Sequence, residues 1–220
     1  MIKAFVFDFD GLILDTETLM YQATSEVYQE YGGHLPIEIW GKLAGTHDEN
    51  FDLVENLKEQ TSALISRDTF YKKRDHLFNQ YIEKASILPG VEALLEAGKQ
   101  AGLKLALATS SGDQWAKNHL ERLGLLHYFD FIIEANDVKQ VKPDPELFVK
   151  ACEGVGVNPS EAIAFEDSYH GAVSAKRAGL YCVVVPNEVT KGLSFEEDVD
   201  LKLTSLDETS YEALLDLFHT

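Results

Sequence analysis

From residue 89 onward, short β-favouring apolar runs alternate with stretches of helical periodicity, and few folds accept that alternation. Leu103-Lys104-Leu105-Ala106-Leu107-Ala108, Phe131-Ile132-Ile133, Ala162-Ile163-Ala164-Phe165 and Tyr181-Cys182-Val183-Val184-Val185 read as strands, with a short one near Leu201. Val91 to Ala101, Gln114 to Leu123 (with Asp113 as its cap), Pro145 to about Gly154, Ser168 to Ala178 and Tyr211 to Phe218 read as helices. Alternation of this kind predicts a parallel sheet wound by helices on both faces. The apolar runs lack strict polar alternation, as strands covered on both faces should.

The first apolar run, Ile2-Lys3-Ala4-Phe5-Val6-Phe7, has the same character, but no convincing strand follows it until after residue 88. Asp15 or Thr16 can cap a helix carrying Leu19, Met20, Ala23, Val27 and Tyr31 at helical spacing, and Gly32-Gly33 stops it. A second piece runs through Ile37, Ile39 and Trp40, and further helices span Asn50 to Gln60 and Ser66 to Lys84. The predicted architecture is therefore α/β: a doubly wound, Rossmann-like core of residues 1–15 and 89–220, with an all-helical cap, residues 16–88, inserted between.

A net charge of −18 over 220 residues argues against nucleic acid or an anionic membrane as partner, since neither is attracted to such a field. No apolar run approaches the ~18 residues of a membrane span, and Asp8 and Asp10 interrupt the first run, so no signal peptide is read there. Cys152 and Cys182 lie amid apolar neighbours and read as reduced, buried thiols of a cytoplasmic protein. An anionic substrate would need a local positive centre.

Polar residues gather where the core strands stop. Asp8 and Asp10 follow the first strand, with Gly11 allowing a sharp turn; Thr109-Ser110-Ser111 follows the second, and Glu166-Asp167-Ser168 the strand at 162–165. Val141-Lys142-Pro143-Asp144-Pro145 adds a lysine in a proline-flanked loop. Parallel strands put these ends on one edge of the sheet, where open α/β sheets bind ligands. Carboxylates, hydroxyls and an ammonium together suit phosphoryl chemistry assisted by a cation. Each cluster alone has an ordinary reading: a polar turn, a capping loop, an exposed lysine, a helix N-terminus favoured by its dipole. Their order along successive strand ends argues against coincidence. His170, Trp115 and Arg177 read as ordinary helix residues.

Four motifs, Asp8-Phe9-Asp10-Gly11, Thr109-Ser110-Ser111, Lys142-Pro143-Asp144-Pro145 and Phe165-Glu166-Asp167-Ser168, make the chain resemble the haloacid dehalogenase-like hydrolase superfamily along its whole length. The resemblance lies in the branch with a helical cap, near phosphoglycolate phosphatase and beta-phosphoglucomutase. It implies that Asp8 attacks phosphorus and that Asp10 protonates the leaving oxygen, then activates water. It implies that Thr109, Ser110 and Lys142 bind the phosphoryl group, and that Asp8, the Asp10 carbonyl and Asp167 hold Mg²⁺, with Glu166 direct or through water. Dehalogenases of the superfamily lack the second aspartate, so its presence sets halide chemistry aside. The expected activity is Mg²⁺-dependent hydrolysis of a small phosphorylated metabolite, a sugar phosphate or phosphoglycolate-like compound, by a monomer. The alternatives are a beta-phosphoglucomutase-like phosphomutase and a non-catalytic binding protein; the intact motif set counts against the latter. Against the mutase, Met20 stands where those enzymes place a histidine, and the loop Gly45-Thr46-His47-Asp48 carries an acid where they carry an arginine. Lys72, Lys73 and Arg74 are cap residues that could contact substrate or lie on a solvated face.

Overall fold

The computed structural model describes residues 1–43, 51–195 and 199–218, and it separates into two compact units. The loop Gly45-Thr46-His47-Asp48 lies outside the described residues. One unit comprises Met1–Leu14, Ser86–Asn187 and Ser194–Thr220; the other comprises Asp15–Ala85 and Glu188–Leu193.

In chain order the elements are β1 (Ala4–Phe7), four helices α1 (Thr16–Glu30), α2 (Ile37–Leu43), α3 (Leu53–Thr61) and α4 (Arg67–Ile82), then an alternating series. That series is α5 (Val91–Gln100), β2 (Lys104–Ala108), α6 (Trp115–Arg122), β3 (Phe131–Ile133), α7 (Glu146–Val155), β4 (Ala162–Glu166), α8 (Tyr169–Ala178), β5 (Tyr181–Val184), β6 (Leu201–Lys202) and α9 (Tyr211–Phe218). Among the described residues the strands form one parallel sheet in the order β3-β2-β1-β4-β5-β6.

The order reverses at β1, whose sequence neighbour β2 lies on one side and β4 on the other. Phe7 is level with Leu107 and with Phe165, so Asp8, one residue on, meets the ends of both neighbours at the switch point of the sheet. The strand is fully buried because Phe5, Val6 and Phe7 have apolar cover on both faces. Phe165 meets Phe5 edge-on at 5.1 Å between ring centroids and stacks on Phe7 at 4.7 Å, which locks β1 to β4 directly beneath the polar edge.

Helix α6 departs from the sequence reading. Asp113 does not cap it: Asp113 and Gln114 both adopt left-handed backbone, at φ 55° and 61°, and the helix begins at Trp115 without a side-chain cap. Asp113 is spent on Asn136 instead, accepting from its Nδ2 at 3.3 Å and donating its amide to Oδ1 at 3.2 Å.

The helical unit has its own core, built from Val27, Tyr28, Leu35, Trp40, Leu57 and Phe70. Asp15 caps α1 by accepting from the Thr18 amide at 3.1 Å. Met20 packs against this core as ordinary apolar filling. Lys72 pairs with Asp68 at 2.9 Å, Lys73 with Glu30 at 2.5 Å and Arg74 with Asp75 at 2.6 Å, so these cations are engaged by acids of their own unit. The unit also takes in Glu188–Leu193, which the sequence reading placed with the sheet. Val189 is buried in the helical core, and its carbonyl lies where a Cβ on Gly41 would stand.

Candidate active site

All the site residues named from the sequence belong to the sheet unit. Asp8 is held at the end of β1 because its amide still donates to the Phe165 carbonyl at 2.9 Å, continuing the ladder for one residue beyond the strand. Phe9 to Leu14 then fold back tightly, with the Gly11 amide donating to the Leu14 carbonyl at 2.8 Å. Gly11 sits at φ 85°, and a Cβ there would overlap the Asp167 carboxylate, so only glycine lets that side chain approach.

Lys142 is buried and reaches between two carboxylates. Its ammonium donates to Asp8 Oδ1 and, at 2.5 Å, to Glu166 Oε1. It also lies 4.9 Å from the centroid of the Phe148 ring. The loop that carries it, whose Lys142–Pro143 bond is cis, is tied to α8: Ser174 Oγ donates to the Asp144 carbonyl at 2.6 Å and Arg177 to the Pro143 carbonyl at 3.3 Å. Arg177 is thus more than an ordinary helix residue.

The second oxygen of Glu166 is also taken. Oε2 accepts from Ser168 Oγ at 3.1 Å and from the amide of Asp167 at 3.2 Å. A Cβ on Gly171 would overlap this carboxylate, which the helix therefore encloses. Glu166 acts first as the anchor of Lys142. Asp167 Oδ2 accepts from Asn187 Nδ2 at 2.7 Å, a partner that no local sequence pattern marks.

The Asp10 carboxylate is held by residues that follow β2. Its Oδ2 accepts from Ser111 Oγ at 2.6 Å and its Oδ1 from the indole Nε1 of Trp115 at 2.9 Å. Trp115, read from the sequence as an ordinary helix residue, holds a site carboxylate. Thr109 is buried, and its hydroxyl accepts from the Ser111 amide at 3.0 Å, whereas Ser110 is exposed.

Among the described residues, the carboxylates offering oxygens within 4.8 Å of one another are Asp8, Glu166 and Asp167; the Asp10 carboxylate is not in that group. Lys142 pairs with two of these three buried carboxylates, and crowding of like charge is what a dry site resists. Burial, with the nearby Glu166 and Asp10 charges, pushes the Asp8 pKa well up despite Lys142. Burial alone would lower the Lys142 pKa, but the Asp8 and Glu166 charges outweigh it and raise it. An all-oxygen, net-negative pocket fits a hard divalent cation. The two cysteines are buried free thiols, and burial pushes Cys152 up to about 11, away from reactivity.

The family model for haloacid dehalogenase-like hydrolases matches residues 5–185. YhcW of Bacillus subtilis (strain 168), a protein provisionally named a phosphatase, is 46% identical over 98% of this chain and 97% of its own length. The phosphorylated carbohydrates phosphatase of Thermotoga maritima is 34% identical over 81% of this chain and 82% of its own length. Among solved structures, a beta-phosphoglucomutase from Clostridium difficile superposes with a TM-score of 0.73 at 28% identity, covering 99% of this chain and 97% of that one.

Proposed function

The chain belongs to the haloacid dehalogenase-like hydrolase family, and from that premise we propose that it is a Mg²⁺-dependent phosphatase of a small phosphorylated metabolite. The observation that carries this reading is the pairing of Asp8 with buried Lys142 at the switch point, with a second aspartate, Asp10, held apart by neutral donors. Asp8 is the nucleophile: its carboxylate attacks phosphorus and becomes an aspartyl-phosphate. Lys142 neutralises charge on both the nucleophile and the transferring group. Asp10 gives a proton to the leaving oxygen, then takes one from the water that hydrolyses the intermediate. Thr109 accepts one bond from the chain and has its own hydroxyl hydrogen to give to a phosphoryl oxygen. Exposed Ser110 adds a second donor. Asp8, Asp167 and the Asp10 carbonyl would hold Mg²⁺, with Glu166 acting through Lys142 and water. The cation supplies Lewis-acid stabilisation of the phosphoryl charge.

The helical unit, Asp15–Ala85 with Glu188–Leu193, is on this reading the cap that sets substrate choice. The relatives named for phosphorylated carbohydrates (Thermotoga maritima) and phosphoglycolate (Nitrosospira multiformis) support sugar phosphates and phosphoglycolate-like acids as the classes to try. Every proposed catalytic group comes from one chain, which supports a working monomer. Among the described residues no helix is long and apolar enough to cross a membrane, and the two free thiols support a cytoplasmic setting.

The test is phosphate release from a panel of phosphorylated metabolites, with Mg²⁺ and with EDTA, alongside thermal melting in both. Mg²⁺ should be required for turnover and should raise the melting temperature by binding the folded state. A melting temperature unmoved by millimolar Mg²⁺, together with EDTA-resistant turnover, would remove the cation from the reading. The beta-phosphoglucomutase neighbour supports the alternative of a phosphomutase. Phosphorus NMR with beta-glucose 1-phosphate, primed with glucose 1,6-bisphosphate, separates the two: the phosphatase yields inorganic phosphate faster than glucose 6-phosphate. Met20, which can neither donate nor accept a proton, favours hydrolysis.

A further inference from the structure

Two of the three non-glycine residues with left-handed backbone among the described residues are adjacent, Asp113 and Gln114, and they stand immediately before Trp115. Left-handed backbone is costly away from glycine, and adjacent pairs persist only where the surroundings over-determine them. Here the surroundings are identifiable. Asn136 holds Asp113 by two hydrogen bonds, and Lys117, one turn into α6, pairs with buried Glu134 at 3.4 Å. The result of the turn is that the indole enters the sheet edge and donates to Asp10 Oδ1. The ring is braced from behind by His119, edge-on at 4.2 Å, and His119 in turn stacks 6.1 Å from Phe9, the residue between the two aspartates.

We propose that Trp115 is a positioning residue for the acid/base step: with Ser111 it fixes the orientation of the Asp10 carboxylate, each donor holding one of its oxygens. This rests on the phosphatase reading, in which Asp10 serves the leaving group. The two donors differ in kind. An indole N–H can only donate, whereas a serine hydroxyl can donate or accept. The indole can meet Asp10 in one way, as a donor to Oδ1, and Ser111 holds Oδ2, so the carboxylate cannot rotate without losing both bonds. In the first half-reaction Asp8 forms its bond to phosphorus as the bond to the leaving oxygen breaks, and that oxygen takes a proton from Asp10 and leaves as an alcohol. In the second, water attacks phosphorus, its proton passes to Asp10, and the bond between Asp8 and phosphorus breaks to release phosphate. In this scheme Trp115 acts through Asp10 and not on phosphorus.

Leaving-group chemistry reads this role. Phenyl phosphate needs a proton at its departing oxygen more than 4-nitrophenyl phosphate does, and the two are nearly the same shape. With Mg²⁺ present, Trp115→Phe should lower kcat/KM roughly tenfold on phenyl phosphate but less than about twofold on 4-nitrophenyl phosphate. Ser111→Ala should repeat the pattern, and it covers the case in which Trp115→Phe does not fold. Equal losses on both esters, or no loss on either, would overturn the proposal. A second measurement is independent of turnover. The chain has two tryptophans, Trp40 and Trp115, so proton–nitrogen NMR shows two indole signals, assigned by Trp115→Phe. Asp10→Ala should move the Trp115 signal and leave Trp40 in place; an unmoved Trp115 signal overturns the contact. Wild-type protein inactive on both esters would count against the phosphatase reading, while the indole signal would still decide whether Trp115 holds Asp10.

Discussion

In the helical unit Tyr28 is fully buried, and its hydroxyl donates to the Leu53 carbonyl at 2.6 Å; buried Thr24 likewise donates to the Met20 carbonyl at 2.7 Å. Each of these polar groups is neutral and is paid off locally by a neutral backbone acceptor. At the ends of β1 and β4 the buried polar groups include Asp8, Glu166 and Asp167, and Lys142 pairs with the first two. Burial of a satisfied hydroxyl is a matter of packing. Burial of excess charge leaves a free-energy demand that a cation or an electrophilic substrate can meet, and this is what separates a site from a core.

The largest expected effect tests the charged side of that contrast. Asp8→Asn keeps the shape but removes the attacking charge, so turnover should fall at least about a thousandfold. The folded state should hold or gain stability near neutral pH, because one member of a crowded acidic group has gone. Steady-state kinetics and urea denaturation measure both. Residual activity of more than a few per cent would mean that Asp8 is not the nucleophile, and a large loss of stability would make it a structural group like Tyr28.

The converse substitution lies in the helical core. Phe70 is fully buried and meets Tyr28 edge-on at 6.0 Å. Phe70→Ala should cost about 3–5 kcal/mol, read by denaturant unfolding, while the affinity of the folded protein for Mg²⁺, read by calorimetry, stays unchanged. Weaker Mg²⁺ binding in the folded variant would show that the two kinds of burial are not separable.

The smallest effect concerns Asp130, a charged group that serves structure. Burial would raise its pKa, but the Leu105 amide at 2.9 Å and the ammonium groups of Lys99 and Lys104 hold it below the ordinary carboxylate range. A depressed carboxyl contributes stability above its unfolded pKa of about 3.9 and loses it as pH falls through the lower folded value. Asp130→Asn should therefore cost about 1 kcal/mol near neutrality, and the gap from wild type should close below about pH 4. A gap that persists into acid would mean that shape, not charge, does the holding.

The strand ends were legible because each is set locally: an apolar run stops, a turn residue follows, and parallel topology places successive stops on one edge. Asp8, Thr109, Glu166 and Asp167 lie at or one residue past the ends of β1, β2 and β4. The alternating elements were legible for the same reason, since hydrophobic periodicity is read over a few residues. What only the tertiary structure decided are pairings across long stretches of chain that leave no periodic trace. Trp115 reaches Asp10 across 105 residues of sequence, and it does so because two left-handed residues re-aim the start of α6, where the sequence suggested a simple aspartate cap. Asn187 meets Asp167, and Val189 joins the helical core, because the chain after β5 takes a path that the polar stretch from Asn187 does not announce. Glu166 shows the limit most plainly: its place at a strand end is local information, but its engagement with Lys142 depends on a loop held by Ser174 and Arg177 on another helix.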